Sequence, residues 1–247
     1  MAVQNVVSKS NPETLNGISS VAVRRFTSSG TYTPTAGMKF CIVEGYGAGS
    51  GSATRYTSST ATTVAGSQAG AAGSSFISVY TAAEIGASRA VTVGAGGAAG
   101  SGGSGGGAGG NTQFGTSGAL GIAYGGVAIT VVDTLRTYGT SATLNINALR
   151  ISASTNSAKA INGNWIQTTG NSGLVGVIGG ISALTGVGGE GAAGIWGMGR
   201  PPQSNPVNSA FTMPTNVGAG GGGISTTTNA SAGVAGSDGL IVIIEFL

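Results

Sequence analysis

VTVGAGGAAGSGGSGGGAGGNTQFGTSG, residues 91–118, decides how the rest of the chain is read. It is either a flexible tether or a stretch in which glycine is the building material. Glycine occupies nine of the ten positions 94, 97, 100 and onward in threes to 121, with only Thr112 breaking the frame; between them it occupies five of eighteen. Shorter runs at 170–179, 188–197 and 233–239 share the habit. A period of three is neither the helix period nor the strand period. It matches an extended left-handed helix of three residues per turn, which has no internal hydrogen bonds. Such a helix is stable only where neighbours satisfy its N–H and C=O groups. Glycine at every third position leaves one edge bare, so backbones can approach closely. Gly94, Gly97, Gly100, Gly103, Gly106 and Gly109 are therefore the expected structural glycines of packed, polyglycine II-like segments. Strict G-X-Y collagen is excluded by six prolines and shifting frames. A Gly/Ser linker stays open for residues 99–110.

Composition favours a folded protein. Glycine numbers 49 of 247 residues, charged residues are 7% and hydrophobic residues 40%. Disordered chains usually pair low hydrophobicity with high charge, and this chain has neither. The net charge of +3 comes from ten basic residues, scattered apart from Arg24-Arg25. Nucleic-acid binding needs a clustered basic footprint, so no nucleic-acid partner is expected. A single Cys41 permits no intrachain disulfide; it sits in the apolar run KFCIVEG and reads as a buried strand residue. No signal peptide and no membrane span are expected.

Outside the glycine runs, VAVRRFTSSGTYT, MKFCIVEGYG, SSFISVYT, RAVTVG, VAITVVDTLRTYG, TLNINALRIS and LIVIIEFL are short and rich in β-branched and aromatic residues. TAAEIGAS, 81–88, could make one turn of helix. The reading is all-β: a short-stranded, β-sandwich-like domain with packed glycine-rich segments. Residues 1–24 are expected to form an N-terminal attachment segment and 25–247 the glycine-rich β domain, with 127–169 a less glycine-rich insert.

Catalytic signals are absent. Histidine does not occur, which removes the usual general base and the Ser-His-Asp triad. GGSGG and GSGGSG match nucleophile and nucleotide motifs only as accidents of composition, since neither opens a helix. Carboxylates brought together by folding remain the one enzymatic route. Neither enzyme activity, metal nor cofactor is expected.

RFTSSGTYTPTAGMKFCIVEGYGAGSGS (25–52), SSFISVYTAAEIGASRAVTVGAGGAAG and the closing GVAGSDGLIVIIEFL resemble, in order, blocks of the glycine-rich domains of bacteriophage tail fibres and receptor-binding tips. Residues 127–169 have no counterpart in that pattern. The resemblance implies a virion protein that binds a host surface polysaccharide or outer-membrane protein and has no chemistry of its own. It also implies a homo-oligomer, a trimer by family habit, docked on other tail proteins through residues 1–24. Receptor contacts would come from large residues among small ones: Tyr46, Tyr56, Tyr138, Trp165, Trp196 and Arg200. For each, core packing is the competing role. A capsid fibre or decoration protein and a non-viral ice-binding protein are the alternative readings, the latter disfavoured by irregular spacer residues.

Overall fold

The computed structural model describes residues 17–53, 68–101, 104–129, 217–221 and 233–247, and the backbone of short strands elsewhere. Two antiparallel sheets form the body. The larger has the order β1 (Val3–Val7), β2 (Val21–Phe26), β17 (Leu240–Phe246), β4 (Phe40–Tyr46), β7 (Ser75–Thr81), β13 (Asn164–Thr168). The smaller has the order β12 (Lys159–Ala160), β10 (Gly121–Ala123), β9 (Thr112–Phe114), β8 (Arg89–Thr92), β3 (Gly30–Tyr32). Three two-stranded ribbons complete the strands: β5 (Thr54–Tyr56) with β16 (Ile224–Thr226), β6 (Thr63–Val64) with β11 (Arg136–Thr137), and β14 (Ile178–Gly179) with β15 (Thr185–Gly186). The single described α-turn, α1 (Ala82–Ile85), is closed by a Thr81–Glu84 capping box.

One core lies between the two sheets. Strand alternation turns Phe26, Cys41, Val43, Phe76, Tyr80, Ile241 and Ile243 of the larger sheet onto Tyr32, Val91, Phe114 and Ala123 of the smaller. The Phe76 ring fills a slot floored by glycine on both sides. A Cβ on Gly45 would stand 2.3 Å from it, and one on Gly121 2.5 Å. Cys41 is fully buried in β4, and burial pushes its thiol up to about 12, so it is an inert packing residue.

At one end of the sandwich the strands run on as glycine-rich segments. β4 continues into 47–53, β8 into 94–100 and β10 into 124–129; 68–74, 104–110 and 233–239 lead into β7, β9 and β17. Residues 47–53 sit at the centre, and every one of them is buried. Their N–H groups turn through three neighbours in succession. Gly47, Ser50 and Ala53 donate to Ser74, Ala71 and Gln68; Ala48 and Gly51 donate to Gly110 and Gly107; Gly49 and Ser52 donate to Ser237 and Val234. Three further segments donate inward, through Gly126 to Ala48, Gly97 to Gly49, Gly100 to Ser52 and Gly221 to Ser50. The first three neighbours run antiparallel to the centre and the second three parallel. Around the rim each segment also bonds the next, closing a ring of six about one: 68–74, 124–129, 104–110, 94–100, 233–239, 217–221. Neighbours on the rim alternate in direction, and their mutual bonds recur every third residue, as in Gly239 to Gly94, Gly236 to Gly97 and Gly233 to Gly100.

The opening stretch is thus packed structure over its described residues. Gly94, Gly97 and Gly100 are buried while Ala95 and Ala98 are exposed. A Cβ would stand 2.2 Å from a carbonyl oxygen at Gly94 and at Gly97, 2.4 Å at Gly100, 2.1 Å at Gly106 and 2.3 Å at Gly109. Gly103 lies outside the described residues. Glycine is needed for space here, not for dihedral freedom; among the bundle glycines only Gly218, at φ 68°, has a left-handed backbone.

One expected boundary changes. The division at residues 24 and 25 falls inside β2, which lies between β1 and β17; Ala22 is buried, so residues 21–24 belong to the domain. The 127–169 insert supplies β12 to one edge of the smaller sheet and β13 to one edge of the larger.

Candidate functional site

The bundle has a proximal end fused to the sandwich and a distal end where the chain reverses. Ala53 bonds Gln68 there, Ser101 and Ser104 form a tight turn, and Gly233 bonds Gly100. The chain therefore leaves and re-enters the described bundle at one end across 53–68, 101–104 and 221–233, and departs there after Ile129. β5 and β16 prolong the central segment and its 217–221 neighbour as a parallel pair, in register Thr54 with Ile224. β6, between Ala53 and Gln68, pairs with β11 beyond Ile129. Gln68 is buried at this end, and its Oε1 has no hydrogen-bond partner.

The expected contact residues are not gathered into one site. Tyr46 presents no surface: it is buried where β4 enters the central segment, and its hydroxyl donates to Glu44 Oε2 at 2.8 Å. Tyr56 closes β5 beyond the distal end of the central segment. Trp165 stands in edge strand β13, where the register with β7 shifts between Asn164 and Ile166. Tyr138, Trp196 and Arg200 lie outside the described residues.

Each described carboxylate has a structural bond. Glu84 caps α1, Asp238 accepts from Gly96 N–H at 2.7 Å, and Glu44 holds Tyr46. Glu245 is the residue that sequence reading missed. Inward alternation on β17 carries it, after Ile241 and Ile243, to a fully buried position. There it accepts from the Tyr32 hydroxyl at 2.7 Å, from Thr35 N–H at 3.1 Å and from the Thr35 hydroxyl at 2.5 Å. Arg24 Nε lies 3.3 Å away as an ion pair, and its Nη2 donates to Thr35 Oγ1. A lone acid at inward parity in LIVIIEFL was the available signal. Burial pushes its carboxyl up, but the hydrogen bonds from Thr35 and Tyr32, with the Arg24 charge, outweigh burial and hold it below the usual carboxylate range. A depressed folded value stabilises the fold above the unfolded carboxylate value of about 4.3, and that gain disappears as pH falls through the folded value. Acid titration of thermal stability should therefore show a loss below about pH 4.5 that is smaller in Glu245→Gln. An unchanged acid limb in that variant refutes the assignment.

Among the described residues no group of His, Cys, Asp and Glu could hold a metal ion, and no helix is long and apolar enough to cross a membrane. No family model matches the chain, and no curated protein is similar to it.

Proposed function

We propose that the chain is a structural protein of a bacteriophage virion, a tail-fibre or tail-tip subunit that binds a host surface polysaccharide or outer-membrane protein. The observation that carries this reading is the convergence of the chain reversals on one end of a bundle held by backbone bonds. Segments spanning 53–68, 101–104 and 221–233 start and finish on rods that bond one another directly, so their sequence can change without disturbing the core. The chain enters at the opposite end, where Ser19 N–H donates to the Leu247 carbonyl and Lys39 to that of Gly17. Attachment to a neighbouring virion protein is assigned to the segment ahead of β2, and host binding to the distal end. Binding by shape and hydrogen bonds, without chemistry, fits a chain with no histidine and described carboxylates already engaged.

Fluorescently labelled protein should bind some bacterial strains of a panel and not others. Replacing residues 54–67 by a Gly-Ser segment of equal length should abolish that binding while leaving the melting temperature within a few degrees, since loop length changes stability only slowly. Binding that survives the replacement, or binding to no strain, overturns the proposal.

A further inference from the structure

The larger sheet has a second face, directed away from the shared core. Across it, Val23, Ile244, Ile42 and Val79 stand abreast on β2, β17, β4 and β7. In the adjacent row the Phe246 and Phe40 rings stack at 4.5 Å. All six side chains are partly exposed. A contiguous apolar sheet face of this kind marks an interaction surface.

The other adjacent row says what fits it. Arg25, Val242 and Glu44 lie side by side on β2, β17 and β4, with the apolar residue between the two charges. Arg25 is exposed, and Glu44 is half-buried and accepts from the Tyr46 hydroxyl through Oε2. A twofold axis in the plane of the interface, running along β17, would lay β2 of one copy over β4 of the other. Height along the strands is preserved by that rotation. Arg25 then meets the other copy's Glu44, Glu44 meets Arg25, Val242 meets Val242, and Val23 meets Ile42. Ile244 likewise meets Ile244, Val79 falls opposite Asn5 of the other copy's β1, and both charges find opposite ones, the pairing being the same in both directions as in an isologous interface.

We infer that this face is a homodimer interface, occupied by a second copy of the chain with strands aligned to within about 30°, the usual face-to-face packing of sheets. About this axis β13 has no counterpart, so five strands overlap. At about 4.8 Å apart and roughly 20 Å long, they bury about 480 Å² per copy and about 960 Å² per pair, the size of a weak, reversible contact. Two copies is one fewer than the tail-fibre resemblance implies, and the inference stands independently of the virion reading.

Sedimentation velocity of the full chain over a wide concentration range should show a monomer–dimer equilibrium. Arg25→Glu places two like-charge pairs across the axis and should weaken the dimer by about tenfold or more, one tenfold step being 1.4 kcal/mol. Combining it with Glu44→Arg should restore dimerisation, because the pairs are then reversed on both sides. Ile244→Asp should leave the chain monomeric. Arg25 is exposed and outside the core, so its variant remains informative if Ile244→Asp unfolds. A chain that is monomeric throughout, a trimer, or a dimer indifferent to Arg25→Glu overturns the inference.

Discussion

Gly49→Val should prevent folding or cost about 4 kcal/mol or more, a large share of the 5–15 kcal/mol that stabilises a typical domain. A Cβ there would stand 2.0 Å from the Ala219 carbonyl oxygen, with backbone rather than a yielding side chain as the obstacle. Relief requires moving the 217–221 segment, which is itself bonded to 68–74 and 233–239. Overpacking then brings unsatisfied buried carbonyls with it, and the two penalties add. Gly97→Val should behave alike, since its Cβ would stand 2.2 Å from Gly107 O and 2.7 Å from Gly51 N. Ala95→Val and Ala98→Val are exposed on the same segment and should stay within about 0.5 kcal/mol. Thermal unfolding of the four variants separates packed rods from slack chain; equal midpoints would refute the packing.

Glu245→Ala should cost about 3 kcal/mol, near the lower end for breaking a buried ion pair. The buried Tyr32 hydroxyl and the Thr35 N–H and hydroxyl lose their acceptor together, and Arg24 loses its counter-charge. The lower end applies because the Arg24 side chain is 23% exposed and can recover some hydration. Glu245→Gln retains one acceptor oxygen without the charge and should lose less than half as much. Urea unfolding decides it; Ala and Gln variants of equal stability would mean that the carboxylate is not what organises this end of the sandwich.

The all-β body was legible because its strands carry their signal locally. Alternation in KFCIVEG and LIVIIEFL puts Cys41, Val43, Ile241 and Ile243 on one face without reference to anything distant. The glycine frame was legible for the rim and not for the centre, and geometry explains the difference. A rim segment turns one residue in three inward, so Gly94, Gly97 and Gly100 must be bare while Ala95 and Ala98 need not be. Residues 47–53 are enclosed on all sides and obey no period of three; they obey an upper size limit, with nothing larger than serine in GAGSGSA. That stretch looks less distinctive than 99–110, yet it is the axis of the bundle. Tyr46 takes the core-packing role that was left open for it, because the glycine burst beside it is interior. The end at which the chain reversals gather was least legible, because which reversals meet there follows from long-range pairing.

The enclosed segment also sets how the two halves of the molecule respond to temperature. The sandwich buries aromatic and aliphatic surface, whose exposure raises heat capacity and whose stabilising effect weakens on cooling. The bundle buries peptide groups and methyl-sized side chains, and exposing polar surface lowers heat capacity. Its contribution to unfolding offsets that of the sandwich, so stability varies less with temperature than in a domain of equal length built on apolar side chains alone. The described bundle therefore depends less on temperature for its stability than the sandwich does.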